Sequence, residues 1–315
     1  MNRLIKYSES INRFIDCKKD YVTRIINIDN AILLNKIKNN DKIFSVIMLT
    51  ILNNTCRKNK LSVNGYYMTI LIEILSIIIF DDVIDVKTCC KNVIMLFGLL
   101  NENVGILMHS VNSSTLLSYY TNVMSSFGGI ILKIISSNND VNDDEIEFTD
   151  GSLENDLSDW YFNDNSVTNL DNFKQISKKT YMKHINNYVN LISEISFMIG
   201  WLLGGGVDDK IESVKLVSTY FSVIYNVVND FENIDRDMIC MIKDDKKFCY
   251  NHVINYGILN SFELYMNNKE KFIELSIKLD IYTDTIKEIL RTLEEKIDVI
   301  INDTNPELKS NYSDS

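Results

Sequence analysis

The chain has 315 residues, 46% of them hydrophobic, enough to bury a sizeable core. One proline and 11 glycines leave it poor in chain breakers, which argues against a turn-rich β-sandwich or barrel and predicts long helices. With 32 Lys+Arg against 43 Asp+Glu the net charge is −11, which excludes the basic footprint of a nucleic-acid binder and suits a site that gathers cations.

Taken in chain order, the first twenty residues mix charge with apolar residues at helical spacing and contain no signal-peptide core. Apolar residues recur at three-and-four spacing over Leu61 to Asp85, Leu116 to Ile135, Lys178 to Leu203, Ile211 to Ile234 and Ile281 to Ile301. Ile70–Phe80 and Leu216–Val228 are too apolar for surface helices, so both are expected to be buried on most sides. The longest apolar stretch, Thr69 to Phe80, is too short to span a bilayer and carries Glu73. The polar, acidic stretch over about residues 136–150 reads as a surface loop, with Asp140 to Glu147 as solvated chain without a role. Cys17, Cys56, Cys89, Cys90, Cys240 and Cys249 form no CxxC pair and read as free thiols of a soluble cytoplasmic protein. Strand runs, internal repeats and composition breaks are absent. The expectation is a single all-α domain over 1–315, a bundle of long helices.

The chemistry lies in carboxylates that end apolar helices. Helix Leu71–Phe80 runs directly into Asp81-Asp82-Val83-Ile84-Asp85, which stacks Asp81 and Asp85 one turn apart on one face. Like charges there repel, and a bound cation removes that penalty. Mg²⁺ fits best, because it is a hard ion that takes carboxylates together with substrate phosphates. Leu216–Val228 leads in the same way into Asn229-Asp230-Phe231-Glu232-Asn233-Ile234-Asp235-Arg236-Asp237. Asn226, Asn229 or Asp230, Asn233 and Asp237 make a polar stripe on a helix that is otherwise buried, and such a stripe needs water or a ligand. Two acidic helices of this kind, with an apolar cavity below, would clamp a diphosphate through Mg²⁺ and hold its hydrocarbon tail. Metal-assisted departure of an allylic diphosphate follows from that arrangement.

At these residues the chain resembles the trans-isoprenyl diphosphate synthases, most of all the geranylgeranyl diphosphate synthases of animals and fungi, from about Ile26 onward. IIIFDDVID resembles the family's first aspartate-rich motif, which implies Asp81, Asp82 and Asp85 as Mg²⁺ ligands. DLSDWYFNDN at 156–165 is similar to a segment that sets Asp159 at an acidic position. SKKT at 177–180 resembles the family's Lys-Thr pair, with Lys179 a diphosphate contact and Thr180 its catalytic neighbour. YNVVNDFEN at 225–233 resembles the second motif, and DDKKFCYNHVI at 244–254 resembles EGKFSFPIIH, which implies a diphosphate role for Lys247. NPEL at 305–308 also stands where the family has it, and Ser76, with Ile77 beside it, stands at the chain-length pocket. The resemblance implies an allylic isoprenyl diphosphate and isopentenyl diphosphate as substrates, and a homodimer.

The chain departs from the family at the isopentenyl diphosphate site. The family's GKxxR falls on Asp41-Lys42-Ile43-Phe44-Ser45, its His on Ile74 and its Arg-Arg pair on Cys90-Lys91. Lys42 and Lys91 remain, but lysine does not replace the bidentate bonds of arginine. Asn229, Asn233 and Asp237, at i, i+4 and i+8, resemble instead the metal-binding triad of class I terpene synthases. Three readings stand side by side: a prenyltransferase of the geranylgeranyl diphosphate type, a terpene synthase derived from that scaffold, and a degraded copy with a structural or partner-binding role. His109, His184 and His252 lie too far apart for a zinc motif and read as ordinary surface or core histidines. Gly204-Gly205-Gly206 follows a helix and reads as a helix stop, not a phosphate cradle.

Overall fold

A computed structural model describes residues 3–18, 35, 37–55, 63–80, 114, 118, 121, 147–149, 173–243 and 247–304. Among them the long elements are all helices: α1 (Arg3–Cys17), α2 (Ile43–Thr55), α3 (Val63–Phe80), α4 (Lys178–Asn187), α5 (Val189–Leu203), α6 (Ile211–Glu232), α7 (Ile234–Lys243), α8 (His252–Lys278) and α9 (Asp284–Thr304). The only strand-like feature among the described residues is an isolated antiparallel bridge between Phe148 and Ile176. The all-α expectation therefore holds.

One stretch expected as a single helix is interrupted, and another, Ile211–Ile234, is matched by α6 to within two residues. Lys178–Leu203 breaks at Tyr188, where φ −122 and ψ −65 leave the helical region. Past Glu232 the helix restarts as α7 at Ile234. Of the expected Leu116–Ile135 helix, residues 118 and 121 are described, and both are helical. Two helices were not anticipated: α2, whose apolar run hides its period, and α8, which Gly257 kinks at φ 80, ψ 169. No helix of the described residues is long and apolar enough to cross a membrane. Cys17, Cys240 and Cys249 are free thiols.

The chain divides into two compact units, each drawn from three stretches. The first takes residues 1–141, 190–219 and 275–289. Its centre is α2, buried at every position from Ile43 to Leu52, as expected of a helix apolar all round. Close approach to α2 depends on missing side chains. A Cβ on Gly65 of α3 would meet Leu52 at 2.6 Å, and one on Gly200 of α5 would meet the Met48 carbonyl oxygen at 2.7 Å. From α1, Ile11 and Ile15 are fully buried, and Phe14 packs on Tyr66 and Tyr67 with ring centroids 5.3 and 5.1 Å away. The three glycines after α5 form the expected stop. Gly205 takes φ 80, the Gly205 N–H donates to the Leu202 carbonyl at 3.1 Å, and Gly206 N–H donates to that of Trp201 at 2.9 Å. Leu216 departs from expectation: it is 46% exposed, although Val217, Phe221, Val223 and Ile224 that follow it are buried.

The second unit takes residues 142–189, 220–274 and 290–315. Its core includes Phe221, Phe231, Tyr265, Phe272, Leu293 and Ile297. Ser177 caps α4 by accepting the Thr180 N–H at 3.1 Å. The bridge strand ahead of α4 is tied to α8, because Asn255 Oδ1 accepts the Ile176 N–H at 3.0 Å and the Tyr256 hydroxyl donates to the Ile176 carbonyl at 2.5 Å. These bonds hold the start of α4 and the start of α8 to one another.

Candidate functional site

Across the α6–α7 junction the backbone keeps its helical phase. Asn233 N–H donates to the Asn229 carbonyl at 3.1 Å and Asp237 N–H to the Asn233 carbonyl at 2.9 Å. The phase sorts the predicted polar stripe into two faces. Asn226 and Asp230, four apart, are 5% and 6% exposed and point into the unit. Asn229, Asn233 and Asp237 share the neighbouring face and are half-buried. Asn233 spends its amide nitrogen on the Asn229 carbonyl at 2.8 Å, which leaves Oδ1 as its acceptor end. This face therefore offers one carboxylate and two amide oxygens, a hard, all-oxygen donor set that fits Mg²⁺. Among the described residues no group of three or more His, Cys, Asp or Glu side chains could hold a metal ion.

Asp230 is the hub of the inner face. Its Oδ2 accepts the Tyr181 hydroxyl at 2.7 Å and the His252 N–H at 2.8 Å, and Asn226 Nδ2 lies 3.3 Å from Oδ1. Burial pushes its carboxyl up to about 8, against the pull of the His252 N–H and the Tyr181 hydroxyl. His252 N–H belongs to the first turn of α8, so Asp230 Oδ2 satisfies one of that turn's free N–H groups. The His252 ring packs between Tyr181 at 4.8 Å and Tyr256 at 4.6 Å, and its Nδ1 lies 2.7 Å from Ser261 Oγ across the kink. Burial drives His252 down to about 4, so this is a neutral core histidine. His184 is of the same kind, stacked on Tyr250 at 4.1 Å and pushed down to about 4 by burial.

At the N-terminus of α4, Lys179 and Thr180 both meet Glu147. The Lys179 ammonium lies 2.6 Å from Glu147 Oε1, and the Lys179 side chain is 79% exposed. The Thr180 hydroxyl accepts the Glu147 N–H at 3.0 Å and donates to the Glu147 carbonyl at 3.2 Å. Glu147 was expected in a roleless loop. It sits instead beside the bridge, in contact with the predicted Lys-Thr pair. Lys247 is exposed, and its carbonyl accepts the Lys174 N–H at 2.7 Å, so the chain at Lys247 runs beside the segment that leads into α4.

In the first unit, Lys42 is buried at φ 59, a backbone region that favours glycine. Its ammonium donates to the carbonyls of Ile37, Lys38 and Asn40 at 2.8, 2.8 and 2.9 Å. All three ammonium protons are thereby used. Ser76 and Ile77, expected at a chain-length pocket, are both buried, and Ser76 Oγ accepts from Asn40 Nδ2 at 3.3 Å. Asp81, Asp82, Asp85, Lys91 and Asp159 lie outside the described residues. Sequence reasoning missed Tyr181, Glu147 and Asn251 as members of this constellation. Only Asn251 carried a signal, an Asn directly ahead of the apolar run that opens α8.

With the helices and their polar faces established, the chain can be set beside known proteins. A geranyltranstransferase from Thermotoga maritima superposes with a TM-score of 0.54 over 92% of this chain and 98% of that one, at 11% identity. The chain has the prenyl-synthase fold. A heptaprenyl diphosphate synthase from Staphylococcus aureus is a weaker likeness, with a TM-score of 0.44 and 13% identity over 93% of this chain and 92% of that one. No protein-family model matches the sequence, and no curated protein does. At 11% identity the prenyl-synthase likeness speaks for the fold, and the chemistry has to be argued from the side chains.

Proposed function

We propose that this chain carries out Mg²⁺-dependent isoprenoid diphosphate chemistry: it ionises an allylic diphosphate, as an isoprenyl diphosphate synthase does in prenyl transfer. The observation that carries the reading is the half-buried oxygen face of Asn229, Asn233 and Asp237 on a prenyl-synthase fold. On this reading Asn229, Asn233 and Asp237 hold Mg²⁺ from the second motif, and Asp81, Asp82 and Asp85 hold it from the first. Mg²⁺ held by these residues would supply neutralisation of the charge that grows on a departing diphosphate.

The chain's own residues do the rest. Lys179 and Lys247 bind diphosphate oxygens, and Lys179 exchanges its Glu147 partner for phosphate as the substrate arrives. That exchange is easy, since water screens an ion pair this exposed and it contributes little. Thr180 fixes the first turn of α4 through Glu147, and Asp230 fixes the first turn of α8. The apolar α3, with Ser76 and Ile77, accommodates the hydrocarbon tail.

A second reading, a terpene synthase working on one allylic diphosphate, is favoured by Lys42. This is the one residue of the GKxxR string that is kept, and it has no proton left for an isopentenyl diphosphate because three backbone carbonyls take them all. The test of the common step is release of inorganic diphosphate from farnesyl diphosphate. Release should require Mg²⁺ and fall by about 100-fold or more in Asp237→Ala, the scale of losing one preorganised charge-stabilising group. Release that is unchanged in Asp237→Ala overturns the assignment of this face.

A further inference from the structure

Asn251 makes four side-chain hydrogen bonds, one for each of its amide's two donors and two lone pairs. It is 2% exposed. Oδ1 accepts the N–H groups of Val253 at 3.0 Å and Ile254 at 3.2 Å, so Asn251 is the N-cap of α8. Nδ2 donates to the Asp230 carbonyl at 2.8 Å and to Asp237 Oδ2 at 2.9 Å. The next residue is clamped as well, because His252 N–H donates to the Asp230 carboxylate. An amide locked at both ends cannot swing away. Whatever it touches inherits that rigidity, and what it touches on the metal-binding face is the one carboxylate there.

We propose that Asn251 is a positioning residue: its Nδ2 holds Asp237 Oδ2 and so orients Oδ1, the oxygen paired with Arg236 at 3.4 Å, toward a cation that would replace that pair. The proposal rests on the reading of this face given under Proposed function. A ligating carboxylate free to rotate spends part of its binding energy on being ordered. One held by a buried amide is ordered beforehand, and outer partners of this kind are worth about 10- to 100-fold in metal affinity.

Cap and clamp can be separated by substitution. Asn251→Ser keeps an oxygen for the α8 cap and loses the donation to Asp237, whereas Asn251→Ala loses both. Binding of Mn²⁺ in the presence of inorganic pyrophosphate, followed by electron paramagnetic resonance on the full chain, reads metal affinity without turnover. Asn251→Ser and Asn251→Ala should both weaken Mn²⁺ binding by about 10-fold or more, while only Asn251→Ala lowers the melting temperature appreciably. If Asn251→Ser melts early, Asn251→Thr supplies the same cap oxygen with more bulk. Asp237→Ala is the control that separates the two claims. Should Asp237→Ala weaken Mn²⁺ binding while both cap-preserving variants bind like the parent, Asn251 is a helix cap only and this proposal fails alone. Should Asp237→Ala itself bind Mn²⁺ as the parent does, the reading of the face fails and takes the proposal with it.

Discussion

Glu73 is a carboxyl set in the middle of an apolar helix, and its surroundings say which form it prefers. It is 1% exposed, accepting from Ser45 Oγ at 2.5 Å and from Asn40 Nδ2 at 3.0 Å. Burial pushes it up to about 7, against the pull of Ser45, Lys42 and Asn40. A carboxyl raised above its unfolded value of 4.5 leaves stability intact at low pH and costs stability as pH climbs from 4.5 towards 7. The full cost above pH 7 is about 3 kcal/mol at 1.36 kcal/mol for each unit. Glu73→Gln keeps the shape and removes the charge, with its oxygen facing Asn40 and its nitrogen facing Ser45. Denaturant melts should show the variant more stable than the parent at pH 8, with the gap closing near pH 4. A gap independent of pH would contradict the account. Glu73 was visible in the sequence as an interruption in the longest apolar run, but Ser45 and Asn40, about thirty residues away in the chain, gave no sign that they are its partners.

At the scale of elements, the α6–α7 junction decides how the second motif is read. From the sequence, Asn229 and Asp230 are equal candidates beside Asn233. The backbone bonds through Asn233 and Asp237 carry the helical phase across the junction, so residues i, i+4 and i+8 share one face and Asp230 turns inward to Tyr181 and His252. The stripe could therefore be read from spacing, but the choice within it needed α4 and α8. The contact between α2 and α5 shows a second contest. Alanine is the better helix former by about 1 kcal/mol, so Gly200→Ala should stabilise α5 by propensity alone. Its Cβ would stand 2.7 Å from the Met48 carbonyl oxygen and 3.0 Å from Ile51 Cβ, and backbone cannot yield as a side chain tip does. Overpacking costs about 1–3 kcal/mol and wins. Thermal unfolding of Gly200→Ala should report a net loss of roughly 1 kcal/mol, and a rise in stability would refute the close approach of α2 and α5.

For the whole molecule, scarcity of proline and glycine was enough to read all-α, and an unbroken apolar period was enough to place α3, α6 and α9. The two-unit division was not legible, because each unit draws on three separate stretches and no composition break marks the joins. Helix α8 was missed for a related reason: its kink at Gly257 and the polar NNKEK run interrupt the period that would have announced it. On the proposed reading an acidic chain, at −11, would repel its anionic substrate, which would therefore arrive with its metal. The account's central claim is ionisation of an allylic diphosphate. Its most direct test is a product assay on the purified, folded protein with Mg²⁺, offering geranyl, farnesyl and geranylgeranyl diphosphates, each with and without isopentenyl diphosphate. The account predicts conversion of at least one of them. A longer diphosphate formed only with isopentenyl diphosphate marks the synthase, and a hydrocarbon or alcohol formed without it marks the terpene synthase that Lys42 favours. Recovery of every allylic diphosphate intact, in all six mixtures, would contradict it.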